Sequence, residues 1–133
     1  MRLPIYHVDA FTSSLFSGNP AAVCPLNKWL PDETMLAIAR ENALAETAFF
    51  IQQGAGYALR WFTPEIEMDL CGHATLASAH VIARHLHPGI TRVDFSSRSG
   101  PLSVAVGDRL LTLDFPSRKA QPCQMPQIIL DAF

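Results

Sequence analysis

The run Cys71-Gly72-His73-Ala74-Thr75 heads a segment that stays small or apolar on nearly every side as far as Leu86, and a lone carboxylate precedes it in Ala45-Glu46-Thr47-Ala48. A histidine in the first turn of a buried helix sits among free backbone amides, which bind an anion or a developing oxyanion. With a glutamate from a neighbouring strand it forms an acid/base pair suited to moving a proton on a small substrate. Each residue also has a plainer role. Glu46 can be a strand-end glutamate facing water, and His73 a polar group bonded locally at the helix start. Gly72 either lets a ligand approach the backbone or supplies an unusual dihedral at a strand-to-helix turn. Thr75 either bonds a ligand or, more commonly, back-bonds within its own helix. Cys71 lies where a helix N-terminus lowers a thiol pKa, against the ordinary fate of a small buried strand-end residue. Asn19, in Gly18-Asn19-Pro20-Ala21-Ala22, offers an amide to a substrate carboxylate or is simply part of a turn.

These residues need elements to hold them. Ile5 to Phe11 reads as a first strand and Ala21-Ala22-Val23-Cys24 as a short second one, separated by turn formers from Ser13 to Pro20. Pro31 at a first-turn position, two acids behind it and a stripe of Met35, Ile38, Ala39 and Ala43 predict an amphipathic helix over about 31–43. Glu46–Gln52 and Tyr57–Thr63 are strand-like and joined by Gly54-Ala55-Gly56, a hairpin signal; Ile66–Leu70 resumes as a short strand. Gly72–His87 is apolar around most of the helical wheel, the mark of a buried helix, and Pro88-Gly89 stops it. Val93–Ser97, Leu102–Val106 and Leu110–Phe115 are three further strands, with a tight turn at Gly107-Asp108-Arg109. The fold class is α+β: a curved mixed or antiparallel sheet wrapped around a buried central helix.

At 133 residues, 49% of them apolar and 17% charged, the chain is one domain with a core and a sticky surface, which an oligomer or a second domain would cover. The net charge of −2 and scattered basic residues, Arg118-Lys119 being the only adjacent pair, exclude a nucleic-acid stripe. Met1-Arg2-Leu3-Pro4 runs directly into polar residues without the apolar stretch expected of a signal peptide, and nothing approaches the ~18 apolar residues of a membrane span. Three widely spaced cysteines without a Cys-x-x-Cys pattern fit a reducing compartment, so a cytoplasmic protein is expected, with neither disulfides nor a zinc site. His73, His80 and His87 repeat every seven residues, too far apart for one ion. No dinucleotide fingerprint, P-loop or serine elbow occurs, which favours chemistry without a cofactor.

Val8-Asp9-Ala10-Phe11-Thr12, Gly18-Asn19-Pro20-Ala21-Ala22-Val23, Glu46-Thr47-Ala48-Phe49, Arg60-Trp61-Phe62-Thr63-Pro64 and Cys71-Gly72-His73-Ala74-Thr75 together resemble, in order, the phenazine biosynthesis PhzF-like family. The resemblance implies one half of a diaminopimelate epimerase-like fold, in which two similar halves enclose a cofactor-free active site. It implies an isomerase, biosynthetic in role, that transfers a proton on a small anionic, carboxylate-containing metabolite, with Glu46 as principal acid/base and His73 and Gly72 contacting substrate. Related cysteine-based epimerases carry a thiol at a position like that of Cys71. The expected organisation is an N-terminal domain over 1–116, then a linker and the start of a second domain over 117–133. A homodimer is the expected way for such a half to complete its cleft. The alternative is a domain that keeps the fold without turnover.

Overall fold

The computed structural model describes residues 2–117 and 119–132, so the pair Arg118-Lys119 lies partly outside the described residues. Strands β1 (Tyr6–Ala10), β2 (Asn19–Leu26), β3 (Glu46–Gln53), β4 (Gly56–Phe62), β5 (Glu67–Met68), β6 (Arg92–Ser97), β7 (Gly100–Val106) and β8 (Leu111–Asp114) form one sheet. Its order is β1-β2-β3-β4-β6-β7-β8, with β5 beside β4. β2–β3 and β4–β6 are parallel and the other pairs antiparallel. The sheet curls around helix α2 (Gly72–Val81), which touches β1, β2, β3, β7 and β8, while helix α1 (Asp32–Asn42) packs outside on β3 and β4.

Alternation along the strands builds two cores. Ala21, Val23, Ala48, Phe50, Leu59, Trp61, Val93, Phe95, Leu102 and Val104 face α2 and meet Ala74, Ala77, Val81 and Ile82. Cys24, Leu26, Phe49 and Phe62 face outward and meet Met35 and Ala39 of α1. The small residues of α2 let the sheet come close on all sides, and its buried hydroxyls are satisfied within the helix: Ser78 donates to the Ala74 carbonyl at 2.7 Å.

Three elements differ from the sequence expectation. β2 starts at Asn19 and runs through two prolines; Pro25 pairs only with Phe50 of β3, past the end of β1, where the strand has a neighbour on one side alone and proline is tolerated. The helix expected to reach His87 is α-helical only to Val81 and closes in a π turn, Ile82–Leu86, with the His87 N–H donating to the Ile82 carbonyl at 2.7 Å. That wide turn sets His85 against Tyr6, ring centroids 5.0 Å apart. β5 is short because the Thr63 hydroxyl accepts the N–H groups of Glu65 and Ile66 before it, and Ser99 and Arg98 hold Asp69 after it. Beyond β8, the short helix α3 (Gln127–Leu130) is exposed, Ile128 at 79%. No helix among the described residues is long and apolar enough to cross a membrane.

Gly18 is required sterically: its φ is +88°, and a Cβ there would collide with the Ala10 carbonyl oxygen and the Thr12 side chain. The turn it makes delivers Asn19 to the first ladder position of β2, opposite Ala10.

Candidate active site

Glu46 is the first residue of β3, in parallel register with Ala21. Ala48 and Phe50, two and four residues on, belong to the core around α2, so the Glu46 side chain points toward that helix too. Its entry is fixed from the other face, where the Asn42 side-chain amide at the end of α1 donates to the Thr47 hydroxyl at 3.1 Å. Cys71, in extended conformation, caps α2, and His73 lies in its first turn.

The fold brings these residues together. His73 Nε2 is 3.2 Å from Glu46 Oε2, with side-chain exposures of 9% and 17%. The pair is too far out of line for a hydrogen bond, so both buried atoms keep their hydrogen-bonding capacity free for a third group. On the other side of the ring, Cys71 Sγ lies 3.4 Å from His73 Nδ1.

Of the two readings of Cys71, the structure fits the small buried residue rather than the activated thiol. Burial pushes its thiol up to about 11; the Ala74 and His73 amides pull it down and the Glu46 charge raises it further, but desolvation wins. It is therefore a thiol at neutral pH, able to donate S–H to Nδ1. A neutral His73 that accepts there carries its proton on Nε2, facing the Glu46 carboxylate.

The other residues fall as follows. Gly72 has no left-handed dihedral, and a Cβ on it would meet only Phe115 and Leu113 side chains at 3.8–3.9 Å, so neither backbone strain nor packing demands glycine. The Thr75 hydroxyl, fully buried, donates to the Cys71 carbonyl, the local bond rather than one to a ligand. Asn19 stands two residues before Ala21 on β2, hence on the same face as Glu46 by alternation, at the strand end beside the site. His80 and His85 pair with each other, ring centroids 6.2 Å apart, away from the trio.

A groove of about 1050 Å³ runs along β1 and the following loop, between them and α2 and β8, lined by Tyr6, Asp9, Leu76, His80, Arg84 and Leu111 among others. Glu46, Cys71 and His73 do not line it. The facing atoms Glu46 Oε2 and His73 Nε2 are closed off from solvent, and Cys71 and His73 are each 8% exposed.

One group went unremarked in the sequence. Arg60 of β4 makes a paired contact to Glu67, 2.7 Å on each side, reaches Asp32 at 2.9 Å and lies over the Trp29 and Phe62 rings. Arg98 adds a second bond to Glu67 and one to Asp69. This network ties β5, and through it the approach to Cys71, onto β4; no local pattern in the sequence announces it, because its members lie 7 to 31 residues apart.

Residues 8–129 match the family model for phenazine biosynthesis-like proteins. A protein of Pseudomonas aeruginosa described as an uncharacterized isomerase is 52% identical over 132 residues, covering 99% of this chain and 51% of the relative. The human phenazine biosynthesis-like domain-containing protein is 42% identical over 130 residues, 92% of this chain and 45% of that one. Among solved structures, a PhzF family protein of Enterococcus faecalis superposes with a TM-score of 0.88 at 48% identity, over 99% of this chain and 51% of the other. A hydroxyproline epimerase from Agrobacterium vitis, 10% identical with a TM-score of 0.56, shares the fold. The chain spans about half the length of the curated relatives it matches. A curled sheet around a buried helix, with the glutamate and histidine motifs meeting at its N-terminus, thus belongs to the phenazine biosynthesis-like (PhzF) protein family.

Proposed function

We propose that this chain provides the acid/base wall of a cofactor-independent isomerase that moves a proton on a small carboxylate-bearing metabolite. The observation that carries the reading is the convergence of Glu46 and His73 at 3.2 Å, their facing atoms buried and without a hydrogen-bond partner. Glu46 takes a proton from a carbon made acidic by its neighbouring carbonyl or carboxylate and returns it at another position or face. His73, with its proton on Nε2, donates to the developing negative charge beside the free amides that start α2. Asn19 at the adjoining strand end orients the substrate carboxylate. The relatives described as isomerases support this class of reaction.

In this reading a second copy of the chain packs against the site, two sites facing one another in a homodimer. A panel of small hydroxy, amino and unsaturated carboxylic acids in D₂O, followed by proton NMR, reads the activity directly. Deuterium incorporation that disappears in Glu46→Gln is the expected result; incorporation unchanged by that variant, or none with any acid in a dimer seen by sedimentation, overturns the assignment. A second reading is a domain that binds without turnover. It predicts chemical-shift changes around His73 with some of the same acids and no exchange at any protein concentration.

A further inference from the structure

We infer that Glu46, Cys71 and His73 form a binding site for one thiophilic divalent cation, with Zn²⁺ as the fitting ion. The donor atoms of the three side chains all lie within 4.8 Å of one another, the one such group of His, Cys, Asp and Glu among the described residues. Three features argue for an ion and against three side chains that merely touch.

The donor set is the first. A thiolate, an imidazole and a carboxylate are the ligand types zinc takes, whereas the thiolate and imidazole exclude Mg²⁺ and Ca²⁺ as good occupants. The spacing is the second. Bonds of about 2.0–2.3 Å in tetrahedral arrangement separate the donors by roughly 3.4–3.6 Å, and one donor atom from each side chain already lies within 4.8 Å of the other two, so the three need close only modestly around an ion. The third is the pair of buried atoms, Glu46 Oε2 and His73 Nε2, with no hydrogen-bond partner. His73 is nine-tenths buried and holds that nitrogen 3.2 Å from the carboxylate.

The two contacts use opposite ring nitrogens, and an ion takes one of them. Cys71 turns about a single side-chain torsion and Glu46 about three, and it is through these that the remaining donor reaches the chosen nitrogen. As the S–Zn bond forms, the thiol proton leaves to solvent, and the fourth position of the tetrahedron is left for a water or substrate oxygen. Two anionic donors then balance the charge of the ion. The histidine spacing along α2 conceals such a site, because the carboxylate comes from β3. On the proton-transfer reading above, an ion held by the Glu46 lone pair also halts the isomerase; the binding itself does not depend on that reading and is measured without substrate.

The test titrates the chelator-treated chain, in a Cys123→Ser background that removes the exposed thiol, with Co²⁺ as an absorbing stand-in for Zn²⁺. One ion per chain is expected, with a thiolate-to-cobalt charge-transfer band that one equivalent of Zn²⁺ abolishes. Cys71→Ser should lose the band, and Glu46→Gln, at a partly accessible strand end, should weaken Zn²⁺ binding about 100-fold or more while the folded far-UV spectrum persists. A band that survives Cys71→Ser, cobalt binding without a thiolate band, or Zn²⁺ affinity unmoved by Glu46→Gln overturns the inference. Exchange activity that fails while the band behaves as expected removes the proposed reaction and leaves the metal site standing.

Discussion

Cys71 can be interrogated by alkylation, because burial holds its thiol near 11. At pH 7.5 such a group is ionised in about one molecule in 3,000, against about one in 11 for an ordinary thiol of pKa near 8.5, a deficit of about 300-fold. A more basic thiolate is also a better nucleophile, by about 13-fold over that interval at a Brønsted slope near 0.45. The folded protein should therefore lose iodoacetamide reactivity at Cys71 by about 20-fold relative to the urea-unfolded chain, before shielding by the fold slows it further. Cys24, fully buried with its thiol pushed up to about 12, should be slower still, and the exposed Cys123 should react first. Peptide-level mass spectrometry resolves the three rates. The logarithm of the Cys71 rate should climb with unit slope up to pH 9.5 without a plateau. A plateau near pH 7, or a folded rate equal to the unfolded one, would refute the desolvation argument and restore Cys71 as a candidate base. Stability follows the same linkage. A thiol whose folded pKa is raised stabilises the fold fully below its unfolded pKa and loses that contribution as pH rises through 9 toward 11, about 3 kcal/mol for Cys71. Cys71→Ala should flatten that part of the pH–stability curve in urea titrations.

Glu46→Gln should lower solvent-deuterium incorporation by about 10²–10⁴-fold while shifting the urea midpoint little, since the amide keeps the side-chain shape. Met35→Ala, which empties a fully buried position between α1 and the outer face of β3 and β4, should cost about 2–5 kcal/mol by urea unfolding. Arg60→Ala should destabilise by about 2 kcal/mol, because it strands the half-buried Glu67 on Arg98 alone and uncovers the Trp29 and Phe62 rings; Asp32→Ala, on the exposed arm of the network, should do least. Gly18→Ala should lower the melting temperature by several degrees and blunt substrate response together, since it displaces the turn that delivers Asn19.

Where the physics is local, the sequence was readable. The all-round apolar pattern of Gly72–Val81 marks a helix with sheet on every side, and Gly54-Ala55-Gly56 marks the β3–β4 hairpin. The motifs around Glu46 and His73 pointed to a shared site, although 26 positions of chain separate them. What escaped depends on geometry between distant segments. The π turn at Ile82–Leu86 accompanies the stacking of His85 on Tyr6, and the extent of β2 on Pro25 lying past the end of β1. A helix N-terminus alone argues for a depressed Cys71 thiol; the opposite direction follows only once the degree of enclosure and the nearness of Glu46 are known.

β3 is enclosed on both faces from Thr47 to Phe50, with Phe49 toward α1 and Phe50 toward α2. Greasiness therefore discriminates poorly between this strand and a copy of itself slipped by one position, since an aromatic ring would be swallowed either way. Protection against slippage falls to the Asn42–Thr47 tether and the glycine-bounded hairpin at the far end. A chain that lost one residue between Ala43 and Ala45 and slid to compensate would melt much like its parent, yet present the Glu46 carboxylate to the wrong side of the sheet. Sequence drift in that short connection, invisible to any assay of folding, is the simplest way for such a molecule to fall silent.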